Sequence, residues 1–253
     1  MFRWHGLGPA LLEALLIVAS VLLALAAENW REDLAEQKLE QHYLEALAED
    51  LRNDLRNFES DQEDISRLAK DARYLLEVLR SNKTPVQPDK FLIAVEDSSR
   101  TVEQPKISRG AYDDMVGGGQ LGLIRNGNLR RRISDYYALS VSNQYAWELW
   151  RYRSWYGFGP LAVAVMPLDV QSWAASTLGD MDSPPLAPIP EDIQEIASQV
   201  AEALRANEKT EGLLKGVIRS TWGQTSTLAS FASSAEDTLK AVEDELNSRW
   251  ADQ

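Results

Sequence analysis

The chain has 253 residues, 44% apolar and 26% charged, a composition that folds around a core rather than staying disordered. Its formal net charge is -13, and between Glu28 and Asp64 13 acids stand against 4 bases, which excludes nucleic acid and bare anionic lipid as main partners. Cysteine is absent, so disulfides, thiolate metal sites and cysteine nucleophiles are excluded as well.

The first element is the stretch "GLGPALLEALLIVASVLLALAA", Gly6 to Ala27, whose only charge is Glu13. As a helix it extends roughly 33 Å at about 1.5 Å per residue, matching a hydrocarbon core of about 30 Å. Trp4 and Trp30 bracket it as interface anchors. The rival reading is a cleaved signal peptide, with Arg3 as its positive start and Ala24-Leu25-Ala26 as its cleavage site. The length of the apolar run and Trp30 favour a retained transmembrane anchor over residues 1–30, a signal-anchor. The short leading tail places the N-terminus in the cytoplasm and the remainder outside. Gly6, Ala10, Glu13, Ile17, Ser20 and Ala24 fall on one side of this helix. Small residues there let a second helix approach, and an ionisable group in lipid faces protein, so this seam predicts helix packing in the membrane.

From Asn29 to Ser81 the chain has neither proline nor glycine. The apolar series Leu44, Leu47, Leu51, Leu55, Phe58, Ile65, Leu68, Ala72, Leu75, Leu76, Leu79 predicts a long helix over 31–81 that continues out of the anchor. The step from Leu51 to Leu55 reads as a stutter in an otherwise coiled-coil pattern. Pro85 and Pro88 make 82–88 a linker. A short helix is expected over about 89–99, then a linker, then a helix over 108–117 with Ser108 as its cap.

Gly117, Gly119 and Gly122 fit G-x-G-x-x-G, a spacing that can cradle a dinucleotide. The motif requires a buried strand before it and a helix directly after it. Asp113-Asp114 spoil the strand, and the next breaker follows too soon for the helix. The glycines therefore read as a helix stop using positive φ at Gly117 to Gly119. Leu121, Leu123 and Ile124 would fill the core, and Asn128 would cap the next helix.

That helix, 129–157, carries "YAWELWRYRSWYGF". Tyr145, Tyr152 and Tyr156 share one face, and Trp147, Trp150 and Phe158 lie opposite. Tyr145, Trp147, Trp150, Arg151, Tyr152 and Trp155 are the candidate ligand or partner contacts. Such a helix is buried on both sides, or packs on one side and meets a partner or headgroups on the other. The segment Gly159 to Pro167 reads as buried, and 179–190 as a proline-rich loop. A helix over 191–206 follows, with Ile193, Ile196, Val200, Ala203 and Leu204 on one face. The last helix, 208–250, has Leu214, Val217, Thr221, Leu228, Phe231, Ala235, Leu239, Val242, Leu246 and Trp250 as its core stripe. Its middle is rich in small residues and invites close approach by another helix. The whole reads as all-α: an N-terminal transmembrane helix continuing into a long helix, then an elongated antiparallel helical bundle over 31–253.

With His5 and His42 as the only histidines, neither a metal cluster nor a serine-histidine triad can be assembled. No catalytic residue, cofactor or metal is expected. The stretches "LEALLIVASVLLALAAENWRE" and "AYDDMVGGGQLGLIRNGNLRRRISDYY" resemble a bacterial family of uncharacterised single-pass membrane proteins. The likeness rests on Glu13, Asn29 and Trp30 in an anchor that contains Glu and exits at Asn-Trp. It rests also on Tyr112, Gly119, Leu121, Leu123, Ile124, Arg125, Leu129, Tyr136 and Tyr137. It departs in the three-glycine run, where Ser-Gly is usual, and in lacking a glycine in the second half of the anchor. The resemblance implies a single-pass protein of the bacterial inner membrane and no known activity. The expected function is a non-enzymatic, structural or interaction subunit of a membrane assembly. Its partners are the bilayer and a second copy or another membrane protein. The alternative is a ligand-sensing extracytoplasmic bundle that acts through a partner.

Overall fold

The computed structural model describes residues 7–178 and 191–250, the side chains of 7–12, 14, 140, 144 and 153–155 excepted. Every regular element among the described residues is helical: α1 (Leu7–Arg80), α2 (Pro88–Ser99), α3 (Gly110–Gly117), a 3₁₀ turn (Gln120–Leu123), α4 (Gly127–Trp155), α5 (Gly159–Val165), α6 (Leu168–Thr177), α7 (Ile193–Ala206) and α8 (Thr210–Trp250). The predicted helices lie within about two residues of these bounds. Helices α5 and α6 carry no counterpart in the sequence reading, and the expected loop at 179–190 lies outside the described residues.

The chain packs as two compact units. One comprises Met1–Asp50, Arg109–Arg132 and Leu239–Gln253; the other comprises Leu51–Ser108 and Ile133–Thr238.

In the second unit α2 is the central helix, packed by α5, α6 and α7. Pro88 opens it, where a missing N–H costs nothing, and Phe91, Leu92, Ala94 and Val95 are all buried. Around them gather Leu68, Ala72 and Leu75 of α1, Met166, Val170 and Trp173 near α5 and α6, Val200 and Leu204 of α7, and Leu214 and Val217 of α8. Each such Leu, Val, Met or Phe side chain contributes about 1.5–3 kcal/mol of burial. Helix α7 buries Ala197 and Ala201 rather than the expected Ala203, which is exposed. Helices α1 and α8 run antiparallel here: Phe58 stacks on Phe231 with ring centroids 5.9 Å apart, and Arg80 meets Glu211 at 2.5 Å. Small residues of α8 do admit a close neighbour, for the Trp150 indole lies against Gly223.

In the first unit Leu44, Leu47, Ala48, Met115, Ile124, Leu129 and Val242 are buried. Asp50 of α1 caps α3, accepting the Ala111 N–H at 3.2 Å; Ser108, expected there, gives its own N–H to Asp54 in the second unit. The glycine run stops α3 through one left-handed residue, Gly119 at φ +67°, while Gly118 stays right-handed at φ −81° and Gly117 stays helical. Of the three expected core plugs only Ile124 is fully buried; Leu121 and Leu123 are half-buried. The cap of α4 is Asn126, whose Oδ1 accepts the N–H groups of Asn128 (3.1 Å) and Leu129 (3.2 Å), so Asn128 is not the cap.

The seam of α1 corrects the expected stutter. Buried positions alternate by four and three residues from Glu40 through Leu44, Leu47, Leu51 and Asp54 to Phe58, and Asp54 is 0% exposed while Leu55 is half-buried. The pattern continues through half-buried Asp61 to buried Ile65, Leu68, Ala72 and Leu75, an unbroken seven-residue repeat in which acids occupy three seam positions. Helix α8 does the same, with Gln224 and Thr238 buried in its seam and Leu239, Leu246 and Trp250 only half-buried.

At the start of α1, Leu15, Leu16, Ile17, Val18, Val21, Leu22, Leu23 and Leu25 are 53–71% exposed, and Trp30 is 68% exposed. At about 100° per residue they cover every side of the helix. Glu13, Ser20 and Ala24 are exposed too, and the Ser20 hydroxyl donates to the Ile17 carbonyl at 2.8 Å. Trp4 and Gly6 lie outside the described residues, as does the side chain of Ala10. Among the described residues no helix is long and apolar enough to cross a membrane.

Candidate functional site

Two clefts of the second unit meet at Thr101, which lines both. The smaller, about 250 Å³, contains part of the aromatic set: Arg151, Tyr152 and Tyr156 line it with Glu148. The two tyrosine rings lie 4.4 Å apart, and Arg151 is held by Glu148 at 2.8 Å. The opposite face of α4 is packed. Trp147 is buried and its indole N–H donates to the Val102 carbonyl at 3.3 Å, and Phe158 is buried as well. Tyr145 stands 79% exposed and away from the cleft lining, and the side chain of Trp155 lies outside the described residues. The helix therefore packs on its tryptophan face and presents its tyrosine face.

The larger cleft, about 630 Å³, was not foreseen. Helix α1 contributes Asp61, Asp64 and Arg67, the end of α2 contributes Asp97, and the segment after it contributes Arg100, Glu103 and Lys106. Arg67 is the internal counterion, 2.7 Å from Asp64 and 3.4 Å from Asp97. Asp97 is 3% exposed; burial raises the pKa of its carboxyl, against the charge of Arg67 and a hydrogen bond to Asp71. Asp71 is pushed up to about 6, first by burial and then by the charge of Asp97. These two carboxyls hold one proton more readily than separate aspartates would. Asp61 is likewise raised to about 6 by burial, then by the charges of Asp64 and Glu103, with Lys106 opposing.

Two other seam acids of α1 take hydrogen bonds from the protein, although Glu40 Oε2 has none among the described residues. Glu40, 1% exposed, accepts the Arg125 N–H at 2.8 Å and an Arg249 guanidinium N–H at 2.8 Å. Asp54 accepts the Ser108 N–H at 2.7 Å and the Tyr136 hydroxyl at 2.6 Å. Asp61, in the corresponding seam position, faces the cleft, and its buried Oδ2 has no hydrogen-bond donor among the described residues. The sequence signal was present: Glu40, Asp54 and Asp61 share a seven-residue period with Leu47, Leu68 and Leu75. Counting apolar residues alone passes over it. Among the described residues no group of three or more His, Cys, Asp or Glu is placed to hold a metal ion. With no histidine beside it, the cleft offers paired charges, a shared proton and an acceptor for a donated N–H.

No family model, curated protein or solved structure matches the chain.

Proposed function

We propose that the chain is a non-enzymatic, membrane-tethered interaction protein whose first helix enters the bilayer and whose helical bundle assembles with a second copy or another membrane protein. The observation that carries this is the collar of aliphatic side chains from Leu15 to Leu25, more than half exposed on every side of α1. A helix apolar all round is stable only inside protein or lipid, and the described residues leave these side chains uncovered. Trp30 follows the run where an interface anchor belongs, and Glu28, Arg31, Glu32 and Asp33 begin a polar surface there. The likeness of the anchor and of the Tyr112–Tyr137 stretch to a bacterial single-pass family fits this reading and supports an inner-membrane location.

The test is fractionation of the complete chain, Met1 included. It is expected to sediment with membranes, to resist alkaline carbonate and to need detergent for release. The solubilised protein is then expected to run as an oligomer or defined complex by native mass spectrometry, and Glu13→Gln to weaken that assembly. Free solubility without detergent overturns the tether. A solubilised monomer with no companion chain overturns the assembly.

A further inference from the structure

We infer that a second copy of this chain docks on the groove between α1 and α8 in the second unit, the two α1–α8 pairs seated face to face about a two-fold axis parallel to the helices. The inference rests on the tethered-assembly reading above and names which of its two partners sits on the bundle.

The seam of α1 leads to the groove. The apolar series predicts Leu55 in the core, yet Asp54 takes that place and Leu55 is left half-buried, one position round the helix. Leu55 instead lines a groove of about 510 Å³ between α1 and α8. Buried Phe58 and Leu228 and exposed Ala229 give the groove an apolar lining, and Arg56, Glu59 and Glu236 give it charge. An apolar trough between two antiparallel helices, with charge at its edges, is shaped to take a further helix.

Charge selects a second copy as the occupant. The stack of Phe58 on Phe231 sets the levels of the two helices, so Arg56 stands level with Ser233. Glu236 lies three residues further on, about 4.5 Å along the axis. A two-fold axis parallel to the helices preserves these levels and sets α1 of each copy beside α8 of the other. Arg56 of each copy then meets Glu236 of the other, so the contact forms twice, as an isologous interface requires. Glu59 comes level with Ser230 and opposes no charge of its own sign. Among the described residues Glu236 makes no ion pair within its own chain, so the second copy brings the cation it lacks. The same axis keeps both first helices pointing to one side, as two copies held in one bilayer require. Exposed ion pairs are weak alone, but confinement in one membrane raises the effective concentration enough for a small groove to serve.

The experiment is native mass spectrometry of the complete, detergent-solubilised protein with charge reversal at the two edges of the groove. Arg56→Glu alone and Glu236→Arg alone each set like charges together in a homodimer and are expected to weaken it about tenfold. Copies carrying Arg56→Glu, mixed with copies carrying Glu236→Arg, are expected to regain full strength as a mixed dimer, because each edge meets its opposite again. Ion pairing within one chain cannot give this rescue. Ala229→Trp fills the groove from an exposed position, so it is expected to keep the helical circular dichroism and to lose the dimer. The inference is overturned by single variants that dimerise as well as the parent, or by a mixture no tighter than either variant alone. It is overturned also if Ala229→Trp releases a foreign chain rather than a second copy. An oligomer that ignores all three variants refutes the groove and leaves the assembly reading standing. A chain soluble without detergent refutes the tether, and the mixing test is then read in plain buffer.

Discussion

Replacing Gly223 with alanine sets two effects of opposite sign against each other. In a helix interior alanine is favoured over glycine by about 1 kcal/mol, because glycine loses more backbone freedom on folding. At Gly223, however, an added Cβ would lie 2.3 Å from Cε2, 2.6 Å from Cζ2 and 2.7 Å from Cδ2 of the Trp150 indole. Carbon atoms rest about 3.5–4.0 Å apart, so a rigid ring must retreat by more than an ångström. Overpacking of this kind costs about 1–3 kcal/mol. Gly216, two turns earlier on α8, has nothing within 4 Å of an added Cβ and supplies the control. Gly216→Ala is expected to stabilise by about 1 kcal/mol, and Gly223→Ala to fall below it by about 1–3 kcal/mol. At roughly 2–4 °C per kcal/mol for a chain of this size, the two melting temperatures should differ by about 2–12 °C. Circular dichroism and tryptophan fluorescence in the same detergent give both curves. Adding Trp150→Ala should erase the penalty of Gly223→Ala, a coupling that a double-mutant cycle reads directly. Equal gains from both glycine substitutions would refute the packing argument.

Asp54→Ala leaves the Ser108 N–H and the Tyr136 hydroxyl without their buried acceptor and is expected to cost about 3 kcal/mol; Tyr136→Phe alone should cost about half that, by chemical denaturation. Gln224 is 0% exposed with neither amide atom hydrogen-bonded, so Gln224→Met is expected to stabilise by about 1 kcal/mol, and a lower melting temperature would disprove it. Asp61 and Asp71 are raised to about 6 when folded and titrate lower when unfolded, so the folded chain takes up these protons first. Their effect is a gain in stability as pH falls through about 6, visible as a melting temperature that rises from pH 7.5 to pH 5. Asp61→Asn should flatten part of that rise, and a fall over the same window would contradict the sign.

The helices were legible because their punctuation is local. Pro85 and Pro88 end one helix and open the next, and the glycines after Val116 stop α3, effects that need no knowledge of the rest of the chain. The tryptophan and tyrosine faces of α4 were legible for the same reason, since helical spacing alone separates them. What the sequence hid was every place where a polar residue sits in a core position. The apolar series puts Leu55 in the seam and passes over Asp54, because hydropathy records what a side chain is and not what donors await it. Those donors come from Ser108 and Tyr136, more than fifty residues away. The apolar pattern puts the cap at Asn128 because the helix begins two residues earlier than that pattern shows. Helices α5 and α6 were too short to show a period. The polar cleft was invisible altogether, since its walls meet only after α2 has folded back along α1.

The polar seam residues also limit what α1 and α8 can do as a pair. A strictly apolar seven-residue repeat allows a helix to slide by seven residues and still bury its stripe. Here such a slide would carry Asp54 or Asp61 into the position of the other. Asp54 would lose Ser108 and Tyr136, and an ionised aspartate would face leucines without a donor. Glu40 adds the same constraint within the first unit, where only one register brings it to both the Arg125 N–H and the Arg249 guanidinium. These hydrogen-bonded seam acids therefore fix the register at a cost in burial that their hydrogen bonds offset. Asp61 constrains the register less, because it is half-buried at the cleft and no donor among the described residues meets its Oδ2, whereas Glu40 and Asp54 are buried and held by hydrogen bonds.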